Sequence, residues 1–464
     1  MRLRETVELA GYFWLPDDAS KKAPGILKIL DGGTISLEMV GSFSGPTGSL
    51  KELYSDVDLS RIVGQVEKLG FVTLERCIFT KRNYSFGGIS KSHLTANWAI
   101  LGVAFEKDEQ VAFDDFVFSV EGLDEWLGIT GITVEHDFDE RACNVRYKKP
   151  NPIEVKLSSD VDLSIDFTSS TPSGANITSA NVNQTSFLRL KTNSEMSPTF
   201  FFELSEKLRN FVSLACDAPV AIYDVEARNS TIKDGARPAK MKLYYGTVNH
   251  PDNEAVLQRH KLLFKYSDCI GNFADILQSW IKSYDTLKPV MNLYFASKAG
   301  AHKYLDGKFL SLAQAVETLH RRTSAETVMP FDVFEGVVEN ILNTCPETHR
   351  EWLASRLTYA NEISLSQRLK RLLEDCSDHF GSAKERKKLA RFAVNTRNYL
   401  THYDESLADK IARGRNMWIL CMKLEALLQL HFLRQLCFSK QAISKVANDS
   451  HFLPKKLKLG FVEG

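Results

Sequence analysis

Val161-Asp-Leu-Ser-Ile-Asp-Phe167 alternates apolar and polar residues over seven positions. An extended chain sends successive side chains to opposite faces, so Val161, Leu163, Ile165 and Phe167 share one face and the acids and serine share the other. The same period of two recurs at Ile153, Val155 and Leu157. It recurs again at Ile35, Leu37 and Met39, with Thr34, Ser36 and Glu38 opposite. Strands with one apolar face need an apolar partner, and the expectation is two sheets packed face to face, a sandwich-like arrangement. Asp31-Gly-Gly33 reads as a turn between strands, and the Ser/Thr/Asn-rich stretch Thr168 to Thr185 as a surface loop. One helix interrupts the pattern at about Glu203 to Cys216, where Leu204, Leu208, Phe211, Val212 and Leu214 form an apolar stripe.

Working outward toward the C-terminus, the period changes to that of helices beyond about residue 290. Phe331, Phe334, Val337, Val338, Ile341 and Leu342 repeat at intervals of three and four, and Pro346 signals a new start after Thr344. Ser311-Leu-Ala-Gln314 and Ser364-Leu-Ser-Gln367 both fit a capping box, and each is expected to begin a helix. Leu369, Leu372 and Leu373 line one helix, and Met417 through His431 a long final one. The sum is an α+β multidomain chain. A β-rich part spans 1–290 and is open to a division near 140–150; a bundle of roughly five or six helices spans 291–445; a basic tail or docking segment spans 446–464.

Composition narrows the function. The chain has 464 residues with 58 basic and 58 acidic side chains, so its formal net charge is zero and any contact with a polyanion must be local. The charged start, Met1-Arg-Leu-Arg-Glu-Thr-Val-Glu, lacks the apolar core of a signal peptide. The apolar stretch Met417 to Leu433 is broken by Lys423, Glu425 and His431, so it reads as a packed helix and no membrane partner is expected. The expected location is the cytoplasm. Eight cysteines lie far apart without C-x-x-C spacing and are read as buried thiols, with no metal site and no cofactor implied.

The segment that can carry chemistry runs Lys384-Glu-Arg-Lys-Lys-Leu-Ala-Arg-Phe-Ala-Val-Asn-Thr-Arg397-Asn398-Tyr-Leu-Thr-His402. Cleaving RNA without a metal needs a proton carrier near neutral pH and a permanent cation on the phosphate, the roles suited to histidine and arginine. Arg397 and His402 are therefore the candidate catalytic pair. The spacing alone is weak, since roughly one or two such pairs arise by chance in a chain this long; a surface arginine beside a helix-end histidine is the commoner source of such a pair. Residues five apart on a helix point about 140° away from each other. Either the helix breaks near Thr401 to Asp404, or two copies of the motif pool one site across a two-fold axis, and the second arrangement is the expectation.

Two further clusters accompany the pair. Glu317, His320 and Arg321 share a helical stripe away from the Leu312, Val316 and Leu319 face, which fits a supporting wall of the site or a plain Glu317–Arg321 ion pair. Lys384, Arg386, Lys387, Lys388 and Arg391 fit either an RNA-steering patch or a solvated face.

Longer runs carry a family likeness. Gly11-Tyr-Phe-Trp-Leu-Pro-Asp-Asp18, Gly87-Gly-Ile-Ser-Lys-Ser-His-Leu-Thr-Ala-Asn-Trp98 and Phe118-Ser-Val-Glu-Gly-Leu-Asp-Glu-Trp-Leu-Gly128 resemble the N-terminal domain of the ApeA family of bacterial anti-phage proteins. Ala299-Gly-Ala-His-Lys-Tyr-Leu-Asp-Gly-Lys-Phe309, Leu312-Ala-Gln-Ala-Val-Glu-Thr-Leu-His-Arg321 and Arg397-Asn-Tyr-Leu-Thr-His402 resemble its C-terminal HEPN domain. The resemblance implies a metal-independent endoribonuclease acting as a homodimer or higher even oligomer. Arg397 would hold the scissile phosphate, His402 would move protons, and Asn398 would orient the arginine or phosphate. It also implies ends with a 2′,3′-cyclic phosphate and a 5′-hydroxyl, and a host RNA substrate, often the anticodon loop of tRNA.

Three classes follow. The leading one is an abortive-infection toxin whose ribonuclease is restrained until a phage-derived trigger, a protein for preference, releases it. The second is a non-catalytic binding or dimerisation protein whose β-rich part recognises a partner. The third, a metal-dependent hydrolase, lacks H-E-x-x-H or a carboxylate cluster to hold the ion.

Overall fold

A computed structural model describes residues 1–41, 43, 59–83, 90–172, 177–248 and 250–462. Gly87, Gly88 and Ile89 of one family-like run, residues 173–176 of the expected loop, and Gly464 lie outside the described residues. The chain divides into two compact units, Met1–Gln278 and Ser279–Gly464.

The first unit is strand-rich, as the alternation implies. The faces are those read from the sequence: Ile35, Leu37 and Met39 are buried, as are Val161, Leu163, Ile165 and Phe167. These strands all belong to one continuous sheet, part of which rolls up on itself. Strands β1 (Val7–Trp14), β2 (Ala23–Leu30), β3 (Thr34–Val40), β4 (Leu59–Val66), β5 (Gly70–Asn83) and β6 (Lys91–Ala96) pair antiparallel in the order β5-β4-β1-β2-β3-β6, and β6 returns to β5. The ladder closes into a barrel with Phe13, Leu27, Ile29, Leu37, Leu74 and Leu94 buried. The turn at Asp31 is real: Gly33 sits at φ 83°, and a Cβ there would stand 2.0 Å from the Tyr245 carbonyl oxygen.

Beyond Asn97 the strand that contains β6 continues as β7 (Trp98–Leu101) and leaves the ring. Strands β8 (Phe113–Val120), β9 (Ile132–Asp137), β10 (Ala142–Tyr147), β11 (Ile153–Lys156), β12 (Val161–Ser170), β13 (Asn183–Met196), β14 (Ile222–Arg228), β15 (Lys233–Asp234), β16 (Arg237–Pro238) and β17 (Met241–Tyr245) follow. They extend one continuous sheet in the order β7-β17-β14-β8-β13-β12-β11, while β9–β10 and β15–β16 are separate hairpins. The expected loop from Thr168 to Thr185 is shorter than its polarity suggests, because Thr168 pairs with Thr185, Ser169 with Gln184 and Ser170 with Asn183. Hydroxyl and amide side chains tolerate a solvent-facing ladder, so polarity alone did not mark the strand ends.

A short helix α1 (Leu123–Leu127) and a long one, α2 (Pro198–Cys216), belong to this unit. Helix α2 begins five residues earlier than the apolar stripe implied. Ser197 caps it by accepting from the Phe200 N–H, and Pro198 occupies the first turn, where no N–H is needed. Phe201, Leu208, Phe211 and Val212 bury its inner face.

The second unit is helical: α3 (Phe273–Lys298), whose first six residues still belong to the first unit, α4 (Leu305–Thr323), α5 (Phe331–Thr344), α6 (Glu347–Leu357), α7 (Leu365–Asp375), α8 (Ala383–His402), α9 (Gly414–Gln435), α10 (Lys440–Asp449) and α11 (Leu453–Lys458). That exceeds the five or six helices expected. The additions are short, and α9 is followed by two more. Helices α4 and α9 form the central pair, and Leu312, Val316 and Leu319 on the one and Leu420, Leu424 and Leu427 on the other are buried; full burial of each such side chain is worth about 1.5–3 kcal/mol. The capping box at Ser364 forms as expected: the Gln367 N–H donates to Ser364 Oγ at 3.3 Å and the Ser364 N–H to Gln367 Oε1 at 2.9 Å. The one at Ser311 does not, because α4 starts at Leu305 and Ser311 lies mid-helix, its Oγ 2.8 Å from His302 Nε2.

Glu425 on α9 is buried and survives as an anion because three ammonium groups converge on it, from Lys456 at 2.6 Å, Lys298 at 3.0 Å and Lys308 at 3.5 Å. Burial alone would raise its pKa; the three lysines overcome that and hold it far below the usual carboxylate range. Lys456 and the buried Leu453 thereby tie α11 to the bundle. Helices α5 and α6 bury no residue, and leave Phe331, Val333 and Trp352 exposed. Cys143 and Cys437 are exposed and Cys345 is half-buried, against the expectation of buried thiols throughout. No described helix is long and apolar enough to cross a membrane.

Candidate active site

Helix α8 carries the candidate pair, and its sequence explains where it starts and stops. Ser382 and Glu385 form a reciprocal capping box at its N-terminus, with the Ser382 N–H donating to Glu385 Oε2 at 2.8 Å. Its Ser-x-x-Glu signature stands in the sequence at Ser382-Ala-Lys-Glu385. Leu389, Ala390, Ala393 and Thr396 form the buried side. The helix runs unbroken through Arg397 to His402 and ends when Tyr403 turns left-handed, at φ 51°. The irregularity allowed for at Thr401 to Asp404 thus falls after the histidine, and the two side chains leave one regular helix about 140° apart.

Arg397 is half-buried and held on two sides. Its Nη1 donates to Asn398 Oδ1 at 3.2 Å, and its Nη2 lies 3.5 Å from Glu317 Oε2 on α4. Glu317 also accepts from Arg321 Nη2 at 3.1 Å. The ion pair expected between Glu317 and Arg321 therefore exists, and the same carboxylate reaches Arg397. Arg321 bonds in turn to Glu362, whose Oε2 is 3.4 Å from Nη2 of the buried Arg368.

His320 is the surprise of this stripe. It is only 3% exposed, covered by α7. A guanidinium can only donate, so Arg368 Nη1 at 3.4 Å makes His320 Nδ1 an acceptor and leaves the ring proton on Nε2, which faces Glu326 Oε2 at 3.9 Å. Burial and the adjacent Arg368 hold His320 below its ordinary pKa. Glu326 is clamped by Arg371 at 2.8 Å. Four guanidiniums, from Arg321, Arg368, Arg371 and Arg397, thus alternate with three carboxylates, from Glu317, Glu326 and Glu362, around a neutral histidine. The arrangement keeps cations close together while leaving Arg397 oriented.

His402 is exposed at the end of α8. Of the basic cluster, Lys384, Lys387, Lys388 and Arg391 line an open groove of about 480 Å³ together with Ser366 and Lys370 of α7. Arg386 does not join them there. It points to the Gly381 carbonyl at 2.5 Å and Glu374 at 3.2 Å. Among the described residues no group of three or more His, Cys, Asp or Glu is arranged to hold a metal ion.

Comparison with protein families matches residues 8–280 to the model for ApeA N-terminal domain 1. The chain belongs to the ApeA family. A second match covers 310–442 with the model for the Apea-like HEPN domain, so this ApeA protein carries the helical domain of a defence-ribonuclease type, one that typically acts on RNA and often dimerises. Among curated proteins and among solved structures, nothing matches the chain.

Proposed function

We propose that this ApeA protein is a metal-independent endoribonuclease that halts phage infection by cutting host RNA, and that its site pools Arg397 and His402 from two copies of the chain. The carrying observation is that both residues sit on one unbroken helix end and diverge by about 140°. By that helical geometry the two side chains of one copy leave the helix in different directions and do not face a shared phosphodiester. A two-fold pairing of α8 with its counterpart can bring one of each to face it.

In this reading the Arg397 guanidinium binds the non-bridging phosphate oxygens and stabilises the charge that grows on them. His402 takes the proton of the ribose 2′-hydroxyl as the 2′-oxygen bonds to phosphorus, and the bond from phosphorus to the 5′-oxygen breaks. The proton returns to that oxygen, leaving a 2′,3′-cyclic phosphate and a 5′-hydroxyl. DNA, without a 2′-hydroxyl, is refused. Asn398 and Glu317 act as positioning residues, since both touch Arg397. The substrate class is tRNA, cut in the anticodon loop, where bases are unpaired and a helix-end site can reach the backbone.

A ribonuclease of this kind would kill its host if always active. Its resting form is therefore restrained, and a phage-derived protein releases it. The deciding experiment expresses the parent, Arg397→Ala and His402→Ala in infected cells and maps RNA ends. Cyclic-phosphate ends and phage protection lost together in both variants support the proposal. Protection that survives either substitution would instead favour a partner-binding protein. Full-speed cleavage by purified protein, unchanged by phage extract, would sink the restraint.

A further inference from the structure

We propose that the outer face of α8 and the adjoining groove form a path for single-stranded RNA, with Lys370, Lys384, Lys387 and Arg391 on the phosphates and Tyr403 stacking the base beside His402. This rests on the ribonuclease reading above and gives its substrate a route.

At 100° per residue, Lys384, Lys387, Arg391, Asn398 and His402 fall within one sector of roughly 60° along α8, while Arg397 lies outside it. The cations therefore lead along the helix to the histidine. Lys370 of α7 lines the same groove from the other side. None of Lys370, Lys384, Lys387 and Arg391 has a carboxylate partner among the described residues, in contrast to Arg386 and to the four paired arginines of the active site. Unpaired ammonium and guanidinium groups lining one groove repel each other, and a polyanion relieves that repulsion.

The end of the path is marked by an aromatic residue in an unusual conformation. Tyr403 adopts φ 51°, a region that a bulky side chain rarely enters and where helix ends usually carry glycine. Tyr403 is 69% exposed, and its ring meets the ring of Tyr399 edge-on at 5.9 Å. Glycine would hold this conformation with less strain, and a tyrosine there sets an exposed aromatic ring on the residue that follows His402. Every base has a face that stacks on such a ring, and only unpaired bases can be splayed onto it.

The test uses the full chain carrying His402→Ala, so that binding is read apart from cleavage. The probe is a labelled, roughly 12-nucleotide single-stranded RNA, free or annealed to its complement. Tyr403→Gly is expected to weaken binding of the free strand about tenfold, with Tyr403→Phe within about twofold. Because glycine relieves the backbone, the thermal midpoint of Tyr403→Gly should hold or rise, which separates lost stacking from lost fold. Lys387→Ala with Arg391→Ala should reduce the slope of log Kd against log salt by about 1.4, near 0.7 for each lost phosphate contact. Equal binding of the annealed probe, an unchanged slope, or Tyr403→Gly binding as tightly as its parent would overturn the path. If cleavage by the otherwise native chain needs Arg397 and His402 while these variants bind normally, the path falls and the ribonuclease stands. If the parent cuts no RNA yet the probe binds with these dependences, the path stands and the ribonuclease falls.

Discussion

Arg397 and His402 are held differently, and that difference shapes what their substitution should do. Arg397 is braced by Asn398 and Glu317, whereas His402 projects from the last turn of α8. Alanine at either position should lower the cleavage rate by about 10²–10⁴-fold, the range of a single proton-transfer or phosphate-stabilising group, with little change in thermal midpoint at His402. Glu317→Gln tests positioning: the half-exposed ion pairs it loses are worth at most about 1 kcal/mol of stability, so a fall in kcat with KM nearly unchanged would report a misaimed guanidinium. Equal loss of midpoint and activity would reduce Glu317 to a structural brace. At this scale the sequence was legible where contacts are local. Glu317 and Arg321, four apart on a helix, were readable as a pair; the reach from Glu317 to Arg397, and the burial of His320 beneath α7, depend on helices distant in the chain.

Elements show the same division. Strand faces and the cap at Ser364 follow from neighbouring residues, and so does the cap at Ser382, which a search for Ser-x-x-Glu finds. Ser311 misled because Ser-x-x-Gln also occurs inside helices, and only the upstream turn at Tyr304 decides. Ser382→Ala should cost about 1 kcal/mol, read by denaturant titration, and shift the first turn of α8 more than its catalytic end. A buried titratable group makes a second prediction at this scale. His431 on α9 is pushed down to about 4 by burial, with its Nε2 3.0 Å from the Leu372 carbonyl. The unfolded chain takes up this proton near the ordinary 6.5 and the folded chain only near 4, so stability is full above about 6.5 and falls as pH drops toward 4. The loss should be on the order of 3 kcal/mol. Denaturant titrations at neutral pH and at about pH 5 should diverge in the parent and converge in His431→Phe if that ring stays packed; a parent insensitive to pH in this window would refute the assignment.

For the whole molecule, the pooled site makes a quantitative claim. Mixing Arg397→Ala with His402→Ala, each inert alone, should restore roughly a quarter of parent activity, because half of the pairs are mixed and each mixed pair holds one complete site of two. No recovery after verified exchange of subunits would place both residues in one copy. Sequence periodicity could not show how the strands of the first unit are joined, since alternation defines faces but is silent on which strand neighbours which. The ring of β1 to β6 has a mechanical meaning of its own. A slip of one residue in an open sheet can be shed at the margin, whereas in a ring it must be carried round every strand back to its origin. The six strands should accordingly open only together, their amides exchanging as one slow class, while the separate β9–β10 hairpin exchanges early and accepts an inserted residue between Asp137 and Ala142 that the ring would reject.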